Sequence, residues 1–403
     1  MKIKSIVIPL ILLFVFLCAF FGCGGKRIEV SVAEGYVSSQ NVSSLRSDSP
    51  NVKVFIENSG SMDGYMCDGS QLKDAVYDYV SELNGHSDTT ELYYINSMVI
   101  PYKCNLTSYI KDLNPQSFRQ AGGNRANTDL GDIMAKVLKN IDDTTVAVFV
   151  SDCILDLPSK DATKFLTNCE IRLKDEIVNA RKRISDLGVE ILQLTSDFNG
   201  YYYYSGGEKK ILKDVKRPYY MWIIGNKNYL AKLNNDVPLS GLKSHGLNNI
   251  VAFTNKSVVP FEIKNRTLSG TVVNSNHGDY QVIIRADFLT TLQPDDEITN
   301  VNNFSFNNSN IKVESVNTIS KESNAEYTHY INFIIPKGTN VSGECLTLKC
   351  PQLPNWVSES DDTTGIGDGE NKTTGIKSLI QGVKNAYKGE NACAEMKFEV
   401  KRK

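Results

Sequence analysis

The sequence is poor in the residues that catalytic and metal centres most often use. Only four histidines occur in 403 residues. His86, His245, His277 and His329 sit in unrelated contexts, so no histidine metal cluster or hydrolase triad is suggested. None falls near a G-x-S-x-G nucleophile elbow, which removes support for an α/β-hydrolase. The nine cysteines contain no C-x-x-C, which excludes a zinc knuckle and a thioredoxin-like redox pair. Charge of one sign is missing too: 44 Lys and Arg stand against 46 Asp and Glu, a formal net charge of -2. With the basic residues dispersed, nothing neutralises a phosphate backbone, and nucleic acid is not an expected partner. No internal repeat is evident, so repeat architectures are not expected.

What is present begins at the first residues. Lys2 and Lys4 precede an apolar run from Ile6 to Phe21 that closes on Gly22-Cys23, the layout of an export signal. Phe20-Phe21-Gly22-Cys23 resembles a bacterial lipobox, although Phe21 stands where a small residue is usual. The resemblance implies that residues 1–22 are removed as a lipoprotein signal peptide and that Cys23 becomes the lipidated N-terminus. The alternative is an uncleaved transmembrane anchor, whose requirement of about 20 apolar residues the run only just approaches. Both readings place the rest of the chain in the cell envelope, held at a membrane and outside the cytoplasm, either periplasm-facing or at the surface. Residues 23–50, rich in Ser, Asn and Gly, read as a tether with room for one short strand. Apart from Cys18 and Cys23, seven cysteines remain, and in an oxidising compartment some should pair. Cys67 with Cys104, flanking the first helix and second strand, is expected, as is Cys153 with Cys169 if the loop after Val150 folds back.

From Val52 the grammar changes. Val52 to Ile56 is a β-branched and aromatic run, and Leu72, Ala75, Val76, Val80 and Leu83 fall on one helical face. Strands at 91–100, 145–150, 189–195 and 219–224 alternate with helices beginning near Thr128, spanning Leu166 to Leu187, and at 228–233. Alternation of this kind implies an α/β domain over 51–250, with a mostly parallel, doubly wound sheet covered on both sides. Over 251–403 short strands separated by Asn, Gly and Ser imply a β-rich, sandwich-like domain, with one amphipathic helix carrying Ile376, Leu379, Ile380, Val383 and Tyr387. The polar stretch 358–374, with Asp361, Asp362, Asp368 and Glu370, does not meet the EF-hand spacing and reads as a solvated loop. Tyr201 to Tyr204 read as one strand with alternating faces rather than as an aromatic contact surface.

The stretch Glu57-Asn58-Ser59-Gly60-Ser61-Met62-Asp63-Gly64 follows the first buried strand directly. Side chains alternate along extended chain, so Glu57, Ser59 and Ser61 can point the same way from the strand's carboxyl end. That end is where open α/β sheets bind ligands, and converging oxygens suit a hard cation. Here the chain resembles the von Willebrand factor A family and its metal-ion-dependent adhesion site, a D-x-S-x-S element followed by a distant Thr and an Asp. Ser59 and Ser61 match the serines, Thr128 the threonine and Asp152 the later aspartate, while Glu57 replaces the first aspartate. The resemblance covers residues 51–235. It implies a cation, Mg2+ or else Ca2+ or Mn2+, held by Glu57, Ser59, Ser61, Thr128 and Asp152, with an open position for a carboxylate presented by a protein partner. It implies binding and no catalysis. Two alternatives stay open: a metal-dependent hydrolase, for which Asp63 and Asp129 are the nearest acids by sequence, and a structural lipoprotein with a degenerate site.

Overall fold

Val52, Val54 and Ile56 alternate with Lys53 and Phe55, and every one of them except Lys53 is fully buried, so the first strand lies inside a sheet covered on both faces. The computed structural model describes residues 28–36, 48–126, 129–158, 160–204, 208–264, 271–272, 278–320, 326–350, 352–365 and 371–402. The leader and Cys23 lie outside the described residues. After β1 (Ile28–Val32), the first region runs β2 (Asn51–Glu57), α1 (Gln71–Gly85), β3 (Thr89–Ile95), β4 (Val99–Tyr102), α2 (Leu106–Lys111), α3 (Pro115–Gln120), α4 (Leu130–Lys139), β5 (Thr145–Ser151), α5 (Ala162–Arg183), β6 (Leu187–Tyr203), β7 (Lys209–Asn226), α6 (Lys227–Asp236) and β8 (Leu247–Phe253). These strands form one seven-stranded sheet in the order β4-β3-β2-β5-β7-β6-β8. On one face lie α1 and α6, through Leu72, Val76, Val80, Leu83, Leu230 and Leu233. The other face carries α4 and α5, through Ile133, Val137, Leu173 and Ile177.

The expectation of a mostly parallel, doubly wound sheet of the von Willebrand factor A kind is corrected. Only β2–β3 and β2–β5 run parallel within this sheet; β3–β4, β5–β7, β7–β6 and β6–β8 are antiparallel. The cause is the join between β6 and β7. A parallel neighbour needs a crossover of a dozen or more residues, and the short connection after Tyr203 leaves room only for a hairpin. That hairpin pairs from Leu187–Asn226 out to Tyr203–Lys209, far beyond the short strands expected at 189–195 and 219–224. In its outer half the expected tyrosine strand is present through Tyr203, while the partner strand around Lys209 to Lys216 is largely polar, which hides it from a reading based on apolar runs.

The second region is antiparallel apart from two short parallel pairings, β9 with β19 and β17 with β18. It contains β9 (Ser257–Val258), β10 (Phe261–Ile263), β11 (Thr271–Val272), β12 (Tyr280–Ala286), α7 (Asp295–Thr299), β13 (Phe304–Phe306), β14 (Lys312–Thr318), β15 (His329–Ile335), β16 (Gly343–Lys349), α8 (Asn355–Glu359), β17 (Asp361–Asp362), β18 (Thr373–Thr374), α9 (Ile376–Ala386) and β19 (Ala392–Arg402). One sheet has the order β11-β1-β19-β16-β13 with β9 on β19, the other β10-β12-β15-β14. Their inner faces share one core in which Phe261, Phe306, Phe333 and Phe398 meet.

Two segments cross between the regions. β1, from within the expected tether, is a strand of the second region's sheet, paired with β19 from Ile28–Arg402 to Val32–Phe398. The amphipathic helix α9 packs in the first region's core, where Ile376, Leu379, Ile380 and Val383 join α5. Among the described residues, no helix is long and apolar enough to cross a membrane.

Candidate functional site

The carboxyl ends of β2 and β5 lie side by side, because the parallel register sets Ile56 against Val150. Glu57, Ser59, Ser61 and Asp152 therefore emerge together, and Glu57, Ser59 and Asp152 are all buried. The Ser59 and Ser61 hydroxyls are 3.0 Å apart. Asp152 is 1% exposed; its Oδ1 accepts from the Ile154 amide at 3.2 Å, and its Oδ2 is buried without a hydrogen-bond partner. Burial pushes this carboxyl up, opposed by the nearby Ser61 hydroxyl, the Ile154 amide and the charge of Arg217. Glu57 is engaged differently: it accepts a hydrogen bond from the Ser151 hydroxyl. Of the five expected ligands, the fold brings Glu57, Ser59, Ser61 and Asp152 to neighbouring strand ends, with Glu57 accepting from the Ser151 hydroxyl beside Asp152. Thr128 lies outside the described residues. Among the described residues, no group of three or more His, Cys, Asp and Glu is placed to hold a metal ion.

The loop carrying the serines is held from behind. Arg125 donates to the carbonyls of Asn58 at 2.6 Å and Ser59 at 2.9 Å, and it pairs with Asp63. Arg119 reaches the same carboxylate at 2.9 Å. Asn96 donates to Asn58 Oδ1 at 2.7 Å and to the Gly122 carbonyl at 2.8 Å. The Met62 sulfur accepts from the Asp152 amide at 3.2 Å, tying the serine loop to the end of β5. Asp63 and Asp129, the acids available to a hydrolase, are committed elsewhere. Asp63 belongs to the two arginines, and Asp129 caps α4 through the Gly131 amide at 2.8 Å and pairs with Arg172.

A cover closes the site from two directions. The hairpin β6–β7 brings Phe198, Tyr202 and Arg217 over the serine loop, packed so tightly that a Cβ on Gly64 would fall 2.3 Å from the Phe198 ring. Tyr203 also approaches, its hydroxyl 3.2 Å from where a Gly60 Cβ would stand. Arg217 is wholly buried, with its guanidinium 4.2 Å from the Tyr202 ring centre. Its Nη2 donates to the Lys372 carbonyl at 3.4 Å, and its Nε and Nη1 have no hydrogen-bond partner. The second cover is the stretch expected to be a solvated loop. Asp361 and Asp362 are buried, the Leu155 amide donates to the Thr374 carbonyl at 3.0 Å, and Thr374 faces the Tyr202 hydroxyl at 3.4 Å. Asp368 and Glu370 lie outside the described residues. Tyr202 belongs to the tyrosine run expected as a strand with alternating faces, and it is buried between exposed Tyr201 and Tyr203. Nothing in the sequence points to Arg217 or Thr374, because each depends on strands that meet only in the fold. Comparison with family models, with curated proteins and with solved structures finds no match.

The four cysteines expected to pair, Cys67, Cys104, Cys153 and Cys169, are all free thiols. Cys153 is buried directly after Asp152, with a left-handed φ of 54° that a non-glycine residue rarely adopts. Its amide donates to the Ser151 hydroxyl at 2.8 Å, which turns the chain away from the sheet and leaves Asp152 at the site.

Proposed function

We propose that this chain is a membrane-anchored, extracytoplasmic binding protein that engages a protein partner through a divalent cation held by Ser59, Ser61 and Asp152. The anchoring rests on the basic and apolar leader with its lipobox-like end. The observation that carries the cation reading is the buried, unpartnered Asp152 Oδ2 beside two hydroxyls 3.0 Å apart. A buried carboxylate oxygen without a donor costs free energy that a bound cation would recover. Hydroxyl and carboxylate oxygens suit magnesium, manganese or calcium. Bound there, the cation would supply a positive charge with an open position for a partner's carboxylate. Calorimetric titration with each of the three ions tests the reading: millimolar or tighter binding, lost in Ser59→Ala and in Asp152→Ala, is the expected outcome. No heat from any ion sinks it. Crosslinked pull-down with and without chelator then tests the partner.

Arg217 favours a second reading. A wholly buried guanidinium near Asp152, with two nitrogens unpartnered, supplies positive charge to the cluster from within the chain. The protein is then a structural lipoprotein whose former cation site is closed by its own arginine. In that case magnesium leaves the melting temperature unchanged, while Arg217→Leu lowers it.

A further inference from the structure

The fold brings together two cysteines outside the expected pairs. Cys350 follows the last residue of β16, and its amide donates to the Asn391 carbonyl at 3.2 Å. Across from it, Leu348 pairs with Ala394 and Lys349 with Ala392, which leaves Cys393 as the extra residue of a β-bulge. A bulge takes a side chain off the regular alternation, and here Cys393 and Ala394 are both buried in succession. The result is a sulfur-to-sulfur separation of 3.0 Å, closer than two unbonded sulfur atoms rest. Both cysteines line a cavity of about 340 Å³ between β8, the end of α9 and the head of β19, which Val251, Phe253, Lys384 and Tyr387 also line.

We propose that Cys350 and Cys393 form a disulfide by thiol–disulfide exchange, with Cys350 attacking a disulfide-bearing oxidant that enters through this cavity. The Cys350 thiolate attacks one sulfur of the oxidant, forming a mixed disulfide and expelling a thiolate that takes up a proton. Cys393 then gives up its proton, attacks Cys350 Sγ and expels the second thiol. Two protein thiols are oxidised and one oxidant disulfide is reduced to two thiols, so atoms and electrons balance. The order of attack follows from the local contacts. The Cys393 thiol donates to the Cys350 sulfur, which holds Cys350 below the ordinary thiol range and pushes Cys393 above it.

The bond would have a definite mechanical consequence. It closes a loop of 43 residues in sequence separation, and that excursion carries α8, the covering segment with Asp361 and Thr374, and α9. Oxidation therefore ties off the base of the segment that leaves the second region and lies over the candidate site.

The test uses the full chain treated with oxidised glutathione, alkylated and digested with trypsin without reduction. The expected result is a linked pair of the peptides 350–372 and 389–397. Oxidation should also raise the melting temperature by several degrees, as closing a long loop does. Cys350→Ser and Cys393→Ser should each lose that rise, and Cys67→Ser should keep it. Full alkylation of both thiols after oxidant, or linkage of Cys350 to Cys345 or any other cysteine, overturns the proposal. So does a pair that resists the oxidant until a zinc or copper chelator is added, which would make it a soft-metal site instead.

Discussion

At the scale of single residues, two buried charged groups make opposite demands on the fold. Glu190 on β6 is buried, with one oxygen accepting from Asn234 at 2.7 Å and the other unpartnered. Burial pushes its carboxyl from 4.5 up to about 8. The unfolded chain releases this proton above pH 4.5 while the folded chain still holds it. The native state is therefore unpenalised below that value, loses stability as pH rises from about 4.5 to about 8, and loses no more beyond. Urea midpoints of Glu190→Gln should match the parent near pH 4.5 and exceed it increasingly toward pH 8; parallel profiles would show that Glu190 does not titrate in this way. Arg217 is a buried charge placed near Asp152 and over the Tyr202 face. Removing one member of a buried charged set leaves the other exposed to its full desolvation cost, so Arg217→Leu should cost on the order of 3 kcal/mol in urea unfolding. If a cation binds at Asp152, the same substitution should tighten magnesium binding by removing a competing charge. Unchanged magnesium binding would separate Arg217 from the site.

At the scale of elements, the β6–β7 hairpin decides both the topology and the cover. Gly64 in the serine loop and Gly200 in the hairpin lie back to back, since a Cβ on Gly200 would stand 2.7 Å from the Gly64 Cα. Any side chain at position 64 pushes on the Phe198 ring and through it on the cover. Gly64→Ala should therefore cost about 1–3 kcal/mol, the usual range for overpacking, and increase protease cleavage within 196–217. A variant with parent stability and cleavage would mean that the hairpin moves aside freely. β2, α1, α4 and β5 were legible in the sequence because each carries a full apolar face or run. Of the outer hairpin the tyrosine run was legible, with Tyr202 buried between exposed Tyr201 and Tyr203. Its partner strand was not, since Lys209, Lys210 and Lys213 are exposed there and it is held by pairing rather than by burial.

At the scale of the whole molecule, the two regions share parts. β1 lies between β11 and β19, with Ile28 and Val30 each 1% exposed. A chain beginning at Asn51 should lose roughly 1.5–3 kcal/mol for each of these side chains and leave an edge of β19 open to pairing with other copies. Scanning calorimetry should show a lowered transition, and gel filtration should show self-association. A chain from 51 that melts like one from 24 and stays monomeric would return 23–50 to the role of a plain tether. In the same way, residues 251–403 produced alone would expose the apolar face of α9 that α5 covers. Such a fragment should bind a hydrophobic dye that the full chain does not.

The sequence by itself determined where the first region begins, that β2, α1, α4 and β5 are buried elements, and that Ser59, Ser61 and Asp152 follow strand ends. Periodicity and loop chemistry are local, so each of these can be read from a few adjacent residues. The helix expected to reach Leu187 stops at Arg183, and the strand expected at 91–100 is the antiparallel pair β3 and β4. Strand direction and partner choice are not local. The antiparallel placement of β6 and β7, the turning of Glu57 toward Ser151, the arrival of Arg217 and Thr374 over the site, and the meeting of Cys350 with Cys393 each depend on segments far apart in the chain. Only tertiary packing brings them together, because hydrogen-bond register and the burial of shared faces select among pairings that local sequence leaves open.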